Sequence, residues 1–478
     1  MTEQTTDEFD VIVIGGGPVG ENAASYAIAG SDRTAVIVEH ELVGGECSYW
    51  ACMPSKAMLR PIEVLETARN MPGVQSLVGD HSLDVDAVLE RRETYTHSLD
   101  DSSQVDWAES AGISVVKGHG RISGEKTVEV DGRTLTARHA VIVATGTTAS
   151  IPNAPGLRDA LPWTSRDATN IHEIPRRVAV IGGGVVASEA ATWLLGFGAE
   201  VTMIVRGSSL LLGSEPFAGE LVADALKARG AKILFDADLT NVARPDAKDT
   251  GYGKIHGGEA ELTVGSETIT VDEILVAAGR NPASGDLGLS TVGLDDGKYI
   301  DVDDHLQVPG HEWLYATGDI NGRSPLTHMG KYQARVAGDV IAARAEGRPL
   351  DGKRFTASAD HGQVPQVVFT PVQVAAVGLT EKQAKDAGVD VEIVGLDIAV
   401  AGSALQRDDY SGHAQLVVDT AADVIVGATF VGPGIDELLH SATVAIVGKV
   451  TLDDLWHAVP SFPTVSELWL RLLESRRS

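Results

Sequence analysis

The chain has 478 residues, with 38 basic against 67 acidic side chains, a formal net charge of −29, and only two cysteines. That length accommodates roughly three domains of ordinary size, and the acidic balance argues against nucleic acid and anionic membrane as partners, since both need a positive surface. No apolar run approaches the roughly 20 residues of a membrane span, and the polar, acidic opening MTEQTTDEFD resembles neither a secretory signal nor a transit peptide, so a cytoplasmic protein is expected.

The first predicted element is DVIVI (10–14), a short β-branched run of the kind that forms a buried parallel strand. A glycine turn and an alanine-rich helix follow in GGGPVGENAASYAIAG, and the next strand, TAVIVE, ends in Glu39. Gly15, Gly17 and Gly20 make G-x-G-x-x-G. With the acid some twenty residues on, this is the dinucleotide-binding fingerprint: close backbone approach to a pyrophosphate, a helix N-terminus to hold it, and a carboxylate for ribose hydroxyls.

The segment GGECSYWACMPSK (44–56) comes next and holds both cysteines, Cys47 and Cys52. Two cysteines are no disulfide framework for a chain this long, and no histidine cluster beside them suggests a metal site. Taken alone, the pair is either redox chemistry or two inert core thiols.

HAVIVATGTTASIP (139–152) ends a strand in A-T-G at Gly146. The strand–glycine turn–helix–strand pattern then returns in RRVAVIGGGVVASEAATWLLGFGAEVTMIVR (176–206), with Gly182, Gly184 and Ala187 at the three small positions. Two fingerprints mean two dinucleotide sites on one chain. In the second copy, the place of the ribose-binding acid falls to Val205, followed by Arg206. An arginine there offers charge and hydrogen bonds to a 2′-phosphate, which favours NADPH over NADH; a surface arginine without contact is the alternative. EILVAAGRNP (273–282), with Gly279 and Arg280, and LYATGDI (314–320), with Gly318 and Asp319, close two further strands. From about residue 351 the pattern turns to α+β without a fingerprint.

These motifs, in this order, resemble the FAD-dependent pyridine nucleotide–disulfide oxidoreductases, the family of dihydrolipoamide dehydrogenase, glutathione reductase and mercuric reductase. The resemblance covers nearly the whole chain. It implies an α/β fold of two Rossmann-like dinucleotide-binding domains plus a C-terminal α+β dimerisation domain. The expected layout is an FAD-binding domain in two parts (1–150 and 276–350), an NAD(P)H-binding domain (151–275) and an interface domain (351–478). Gly15, Gly17, Gly20, Glu39 and Asp319 are then expected to hold FAD, and Gly146, Gly182, Gly184, Arg206, Gly279 and Arg280 complete the cofactor-binding set. A helix from about Leu326 is expected to aim its N-terminus at the flavin, where the positive dipole end favours the reduced, anionic form. Cys47 and Cys52 match the family's redox pair, Cys52 against the flavin and Cys47 towards substrate. Lys56 matches the lysine beside the flavin and Glu189 its partner.

The chain departs from the family at its C-terminus. Members that reduce thiol disulfides carry H-P-T-x-x-E, whose histidine, from the partner subunit, is the general acid–base; here SFPTVSE (461–467) keeps Pro463, Thr464 and Glu467 but has Phe462. A phenylalanine carries no proton, and such a base contributes about 10² to 10⁴ in rate. His457, five residues upstream, is a weak substitute. The tail LLESRRS lacks the vicinal cysteines of mercuric reductase. Tyr49 and Trp50, between the cysteines, either shape a pocket for a planar acceptor or pack a helix. The expected function is a homodimeric, NADPH-dependent FAD disulfide reductase acting through Cys47 and Cys52 on a small-molecule acceptor, with Glu467 retained and no metal. Direct transfer from flavin to quinones, and a flavin-bearing component of a larger assembly, are the alternatives.

Overall fold

The computed structural model describes residues 7–477; most of the opening segment read above, residues 1–6, lies outside them. The fold is mixed α/β and divides into two compact units.

The first unit comprises residues 1–54, 93–149 and 280–360. Its centre is a parallel sheet in which Asp7–Ile14 lies between Ala35–Glu39 and Arg133–Val143. Ile113–Lys117 pairs outside the former and Leu314–Ala316 outside the latter. Val11, Ile12 and Val13 are wholly buried, as a strand covered on both faces requires. The helix Pro18–Ile28 and the longer helix Thr327–Ala345 pack on one face and share a core with it. Short antiparallel strands, Gly120–Gly124 and Thr127–Val130, extend the sheet.

The second unit comprises residues 55–92, 150–279 and 361–478. It repeats the pattern on a smaller scale, with parallel strands in the order Lys232–Leu234, Glu200–Ile204, Arg177–Ile181 and Glu273–Val276. The helix Val185–Gly196 follows the second glycine turn. The chain then builds a five-stranded antiparallel sheet, Pro365–Val368, Gln373–Gly378, Val424–Gly432, His413–Asp419 and Val391–Asp397. The helices Leu438–Gly448 and Glu467–Arg477 share its core.

The two glycine turns are superimposable in their physics. Gly15 has φ +104°, and a Cβ there would lie 2.4 Å from the carbonyl oxygen of Ala144. Gly182 has φ +132°, and its Cβ would lie 2.3 Å from the carbonyl oxygen of Ala277. In both copies the first glycine is therefore required because the A-T-G or A-A-G strand end crosses directly against the turn.

One buried ion pair fastens the second unit. Arg244 and Glu273, both wholly buried, are bidentate at 2.7 and 3.0 Å. Arg244 also donates to the carbonyls of Gly258 (2.9 Å) and Asp272 (2.7 Å), and the His256 N–H donates to Glu273 at 2.7 Å. Removing one partner strands a buried charge. Arg244→Met is expected to cost about 3–5 kcal/mol in urea denaturation, while Arg244→Met with Glu273→Leu recovers much of it. Equal losses in the single and double variants would mean that the charges are not coupled.

Candidate active site

The first glycine turn is open where a phosphate must approach. Gly17 caps the helix Pro18–Ile28 without a side-chain hydrogen bond, so the first-turn N–H groups remain available to an anion. A Cβ at Gly17 would meet only Gly45 Cα, at 3.9 Å, whereas one at Gly20 would lie 1.9 Å from the Gly15 carbonyl oxygen. The third glycine thus serves the packing of the turn itself, and the second leaves room for ligand. Glu39 ends its strand buried and accepts from the N–H of Gly16 and of Glu41, both at 2.7 Å. Burial pushes its carboxyl up, but hydrogen bonds from His40, Glu41 and Gly16 outweigh it, so the group ionises more readily than usual. An ionised carboxylate with lone pairs to spare at the end of that strand is what an adenosine ribose needs. These residues fit a dinucleotide such as FAD.

Asp319 lies just after the strand Leu314–Ala316 and accepts from the Thr147 hydroxyl at 2.8 Å. Arg280 grips the same threonine, donating to its hydroxyl and its carbonyl, both at 2.5 Å. Gly146, with φ +70°, turns the chain into this cluster. Arg280, Thr147 and Asp319 therefore form one hydrogen-bonded chain in the first unit.

The thiols meet on the same unit. Cys47 sits in the short helix Gly45–Tyr49 and Cys52 opens the helix Cys52–Arg69. Both are half-buried thiols, and Cys52 Sγ lies 3.4 Å from the Thr327 hydroxyl, at the first residue of the helix Thr327–Ala345. Its hydrogen bond with Cys52 first, then burial and the charge on Cys52, push the Cys47 thiol well above the ordinary range; Thr327 and Lys331 pull weakly the other way. The pair is unequal. Cys47 is the thiol held to its proton.

Tyr49 and Trp50 are core residues, 1% and 6% exposed, with their rings edge-on at 5.8 Å. The Tyr49 hydroxyl donates to the Val43 carbonyl at 3.0 Å. Of the two readings of this aromatic pair, packing is the one the structure bears out.

In the second unit, Lys56 donates to Glu189 at 2.7 Å, and Glu189, buried, also accepts from the Phe369 N–H at 3.0 Å. The Lys56 ammonium stands 4.8 Å from the centre of the Phe369 ring. The second glycine turn borders a cleft of about 990 Å³, lined among others by Gly182, Gly184, Arg206, Ser209 and Gly279. A Cβ at Gly184 would meet nothing within 4 Å, so this turn too is open at its middle glycine.

The C-terminal segment is held without a histidine. Glu467, 3% exposed, accepts from the Gly402 N–H at 3.0 Å and from Arg471 at 2.7 and 3.1 Å. Phe462, joined to Pro463 by a cis bond, is 73% exposed. His457 lies on the surface just past the helix Leu452–Trp456.

The geometry defines a class: two dinucleotide folds, a thiol pair beside a helix N-terminus, and a separate antiparallel domain. The family model "Pyridine nucleotide-disulphide oxidoreductase" matches residues 9–337, and that of the family's dimerisation domain matches 364–472. The chain belongs to this family of flavoprotein oxidoreductases. Among curated relatives, it is 29% identical over 467 residues to a mercuric reductase of Staphylococcus aureus, covering 96% of this chain and 81% of that one. It is 31% identical over 480 residues to a glutathione reductase of Burkholderia cepacia, covering 98% and 99%. A dihydrolipoyl dehydrogenase of Chlamydia muridarum is 28% identical, covering 97% and 96%. Among solved structures, the HOCl-induced flavoprotein disulfide reductase RclA of Escherichia coli, as its Cu(II) complex, shares the fold with a TM-score of 0.82 at 20% identity, over 98% of this chain and 99% of that one.

Thr327, which touches Cys52, and Lys331, whose charge acts on Cys47, belong to no short motif and come from a helix some 275 residues further along the chain.

Proposed function

We propose that this chain is an NADPH-dependent FAD disulfide reductase, homodimeric and cytoplasmic, that passes electrons through Cys47 and Cys52 to a small disulfide or another thiol-reactive acceptor. The observation that carries this reading is the unequal thiol pair. A two-electron relay needs one sulfur poised as thiolate and one that keeps its proton until substrate arrives. The Cys47 thiol, pushed up by its hydrogen bond with Cys52, supports the protonated half of such a pair, and Cys52, 3.4 Å from the Thr327 hydroxyl, is the sulfur we assign as the thiolate.

Bound FAD would supply a two-electron carrier between the nicotinamide and the disulfide. Gly15, Gly17, Gly20, Glu39, Gly146 and Asp319 would hold it. Glu189, fixed by the Phe369 N–H, aligns the Lys56 ammonium, the residue that the family resemblance assigns to the flavin. Gly182, Gly184, Gly279 and Arg206 would hold the nicotinamide cofactor. Glu467 braces the segment that carries Phe462.

Anaerobic titration of the holoprotein with NADPH, followed by full visible spectra, tests the relay. A long-wavelength charge-transfer band after two electrons, with new thiols, is expected. Flavin that bleaches with no band and no new thiols would overturn the reading. It would also favour the second one, transfer from flavin directly to quinones, for which the exposed Phe462 in place of a base is the supporting observation.

Coenzyme choice rests on Arg206, which lines the second cleft, next to a buried Val205 that cannot repel a 2′-phosphate. A charged hydrogen bond of this kind contributes roughly 1.5–3 kcal/mol. Arg206→Ala is therefore expected to raise KM for NADPH about 10- to 100-fold while leaving KM for NADH within about twofold. Parallel changes for both coenzymes would show that Arg206 does not read the phosphate.

A further inference from the structure

Asp319 sits in a short turn that is tied to the rest of the first unit through one side chain. The strand Leu314–Ala316 runs into the helical turn Gly318–Asn321, which Gly318 enters with φ +79°. Gly318 and Asn321 are both buried, so the Gly318 N–H and the Asn321 amide need acceptors. Gln333, wholly buried on the helix Thr327–Ala345, accepts from both with its Oε1, at 2.8 and 2.9 Å. Asn321 in turn donates to the Ala316 carbonyl at 3.1 Å and accepts from the Arg323 N–H at 3.0 Å. A Cβ at Gly330 would lie 3.1 Å from Gly318 Cα, so helix and turn are in close contact.

The Gln333 amide fits in one orientation only. Its nitrogen donates to Asp360 Oδ2 at 3.0 Å while its oxygen faces two donors; exchanging the ends would set donors against donors and a carbonyl against a carboxylate. The Asp360 side chain, 1% exposed, is neutralised by Arg323 at 3.1 Å, and Arg323 also reaches Asp304 at 2.6 Å. Donors therefore run in one direction through Gln333 into a charged acceptor, which strengthens each bond of a buried network. The same helix begins with Thr327, whose hydroxyl lies 3.4 Å from Cys52 Sγ. Gln333 stands less than two turns beyond it, about 9 Å along the axis.

We propose that Gln333 is a positioning residue for the bound flavin cofactor, acting through Asp319: it locks the turn Gly318–Asn321 to the helix Thr327–Ala345 and so fixes the carboxylate relative to the helix end that touches Cys52. This rests on the reading of Asp319 as an FAD-holding residue. The division of labour is plain in the contacts. Thr147 orients the Asp319 side chain at 2.8 Å, and Gln333 holds the backbone that carries it. Without Gln333 the carboxylate is intact but displaced.

The test follows FAD release from the diluted holoprotein by the rise in free-flavin fluorescence. Gln333→Met keeps the side-chain volume and removes its hydrogen bonds, so release is expected to accelerate about 10- to 100-fold, the effect of leaving buried donors unpaired. Gln333→Glu should release FAD as fast, because its second carboxylate oxygen faces Asp360. Gln333→Glu with Asp360→Asn restores both acceptor and donor at the same total charge, and should return to within about threefold of wild type. Action through Asp319 is read from a double-mutant cycle: Asp319→Ala alone accelerates release, and adding Gln333→Met accelerates it further by less than about twofold. If Gln333→Met does not fold, Gln333→Glu takes its place in the cycle. Additive effects would overturn the proposal, since Gln333 would then act by a route other than Asp319. Wild-type release in Gln333→Met with only a lowered urea midpoint would also overturn it, marking Gln333 as a brace for the fold alone. Wild-type release in Asp319→Ala would instead sink the reading of Asp319, and the proposal with it.

Discussion

Cys47→Ser and Cys52→Ser are expected to have the same effect on disulfide reduction and opposite effects on the visible spectrum. Each removes one half of a dithiol, and residues that act as a unit are lost together, so turnover with any disulfide should fall by on the order of 10⁴-fold or more in either variant. The spectra should part company because the pair is unequal. Cys47 is pushed up by its hydrogen bond to Cys52, and so holds the proton. With Cys47 gone, Cys52 cannot form the disulfide and stays beside Thr327, 3.4 Å away, as the proposed thiolate. Cys47→Ser should therefore show the long-wavelength charge-transfer band before any reductant is added, and Cys52→Ser should never show it. A band in Cys52→Ser and none in Cys47→Ser would reverse the two roles. Quinone reduction supplies the contrast: if it survives within about threefold in both variants, electrons can leave the flavin without the thiols, and the physiological acceptor must then be sought among disulfides and quinones by rate.

Much of this arrangement was legible because it depends on short-range chemistry. Glycine turns, the acid at Glu39 and the C-x₄-C pair each need particular residue types at fixed spacing, and the helix expected from about Leu326 begins at Thr327 with Leu326 as its N-cap. The Lys56–Glu189 contact, expected only through the family resemblance, is made at 2.7 Å. What did not show was whatever arises from two distant segments meeting. Asp319 and Arg280 were both expected, but not the Thr147 hydroxyl that accepts from Arg280 and donates to Asp319. The close run of the helix Thr327–Ala345 against Pro18–Ile28 depends on Gly330 admitting Val19, a contact no periodicity reveals. Tyr49 and Trp50 were ambiguous for the same reason, since an aromatic residue in a turn reads alike whether it faces a pocket or a core. Glu467 illustrates a subtler limit: its position matched the family motif, while its partners, Gly402 and Arg471, mark it as a brace whatever residue occupies 462.

That brace bears on the second large effect. Phe462→His is expected to raise the rate with small disulfides by about 10- to 100-fold, part of what a positioned general acid–base contributes. The frame for a histidine is still present: Thr464 donates to the Ser461 carbonyl at 2.7 Å, and a Cβ on Gly402 would lie 2.2 Å from the Thr464 carbonyl oxygen, so this segment is closely seated. Phe462 itself is largely exposed, so replacing it removes little packing from its own chain. In family members with this motif the residue at this position reaches the partner subunit's thiols, and a histidine here would accept the proton of Cys47 as that sulfur attacks. Because a histidine titrates near 6.5, the gain should appear above pH 7 and fade below pH 6, where the imidazolium can no longer take a proton. Glu467 accepts from Arg471 and Gly402 through different oxygens, which leaves lone pairs for an imidazole N–H. Phe462→His with Glu467→Gln should accordingly keep only part of the gain. A variant no faster than wild type at pH 8, with flavin and dimer intact, would mean that proton transfer at residue 462 is not what limits this enzyme. The natural acceptor would then be one whose reduction consumes no proton from that side, as a thiophilic electrophile captured directly by Cys47 would be.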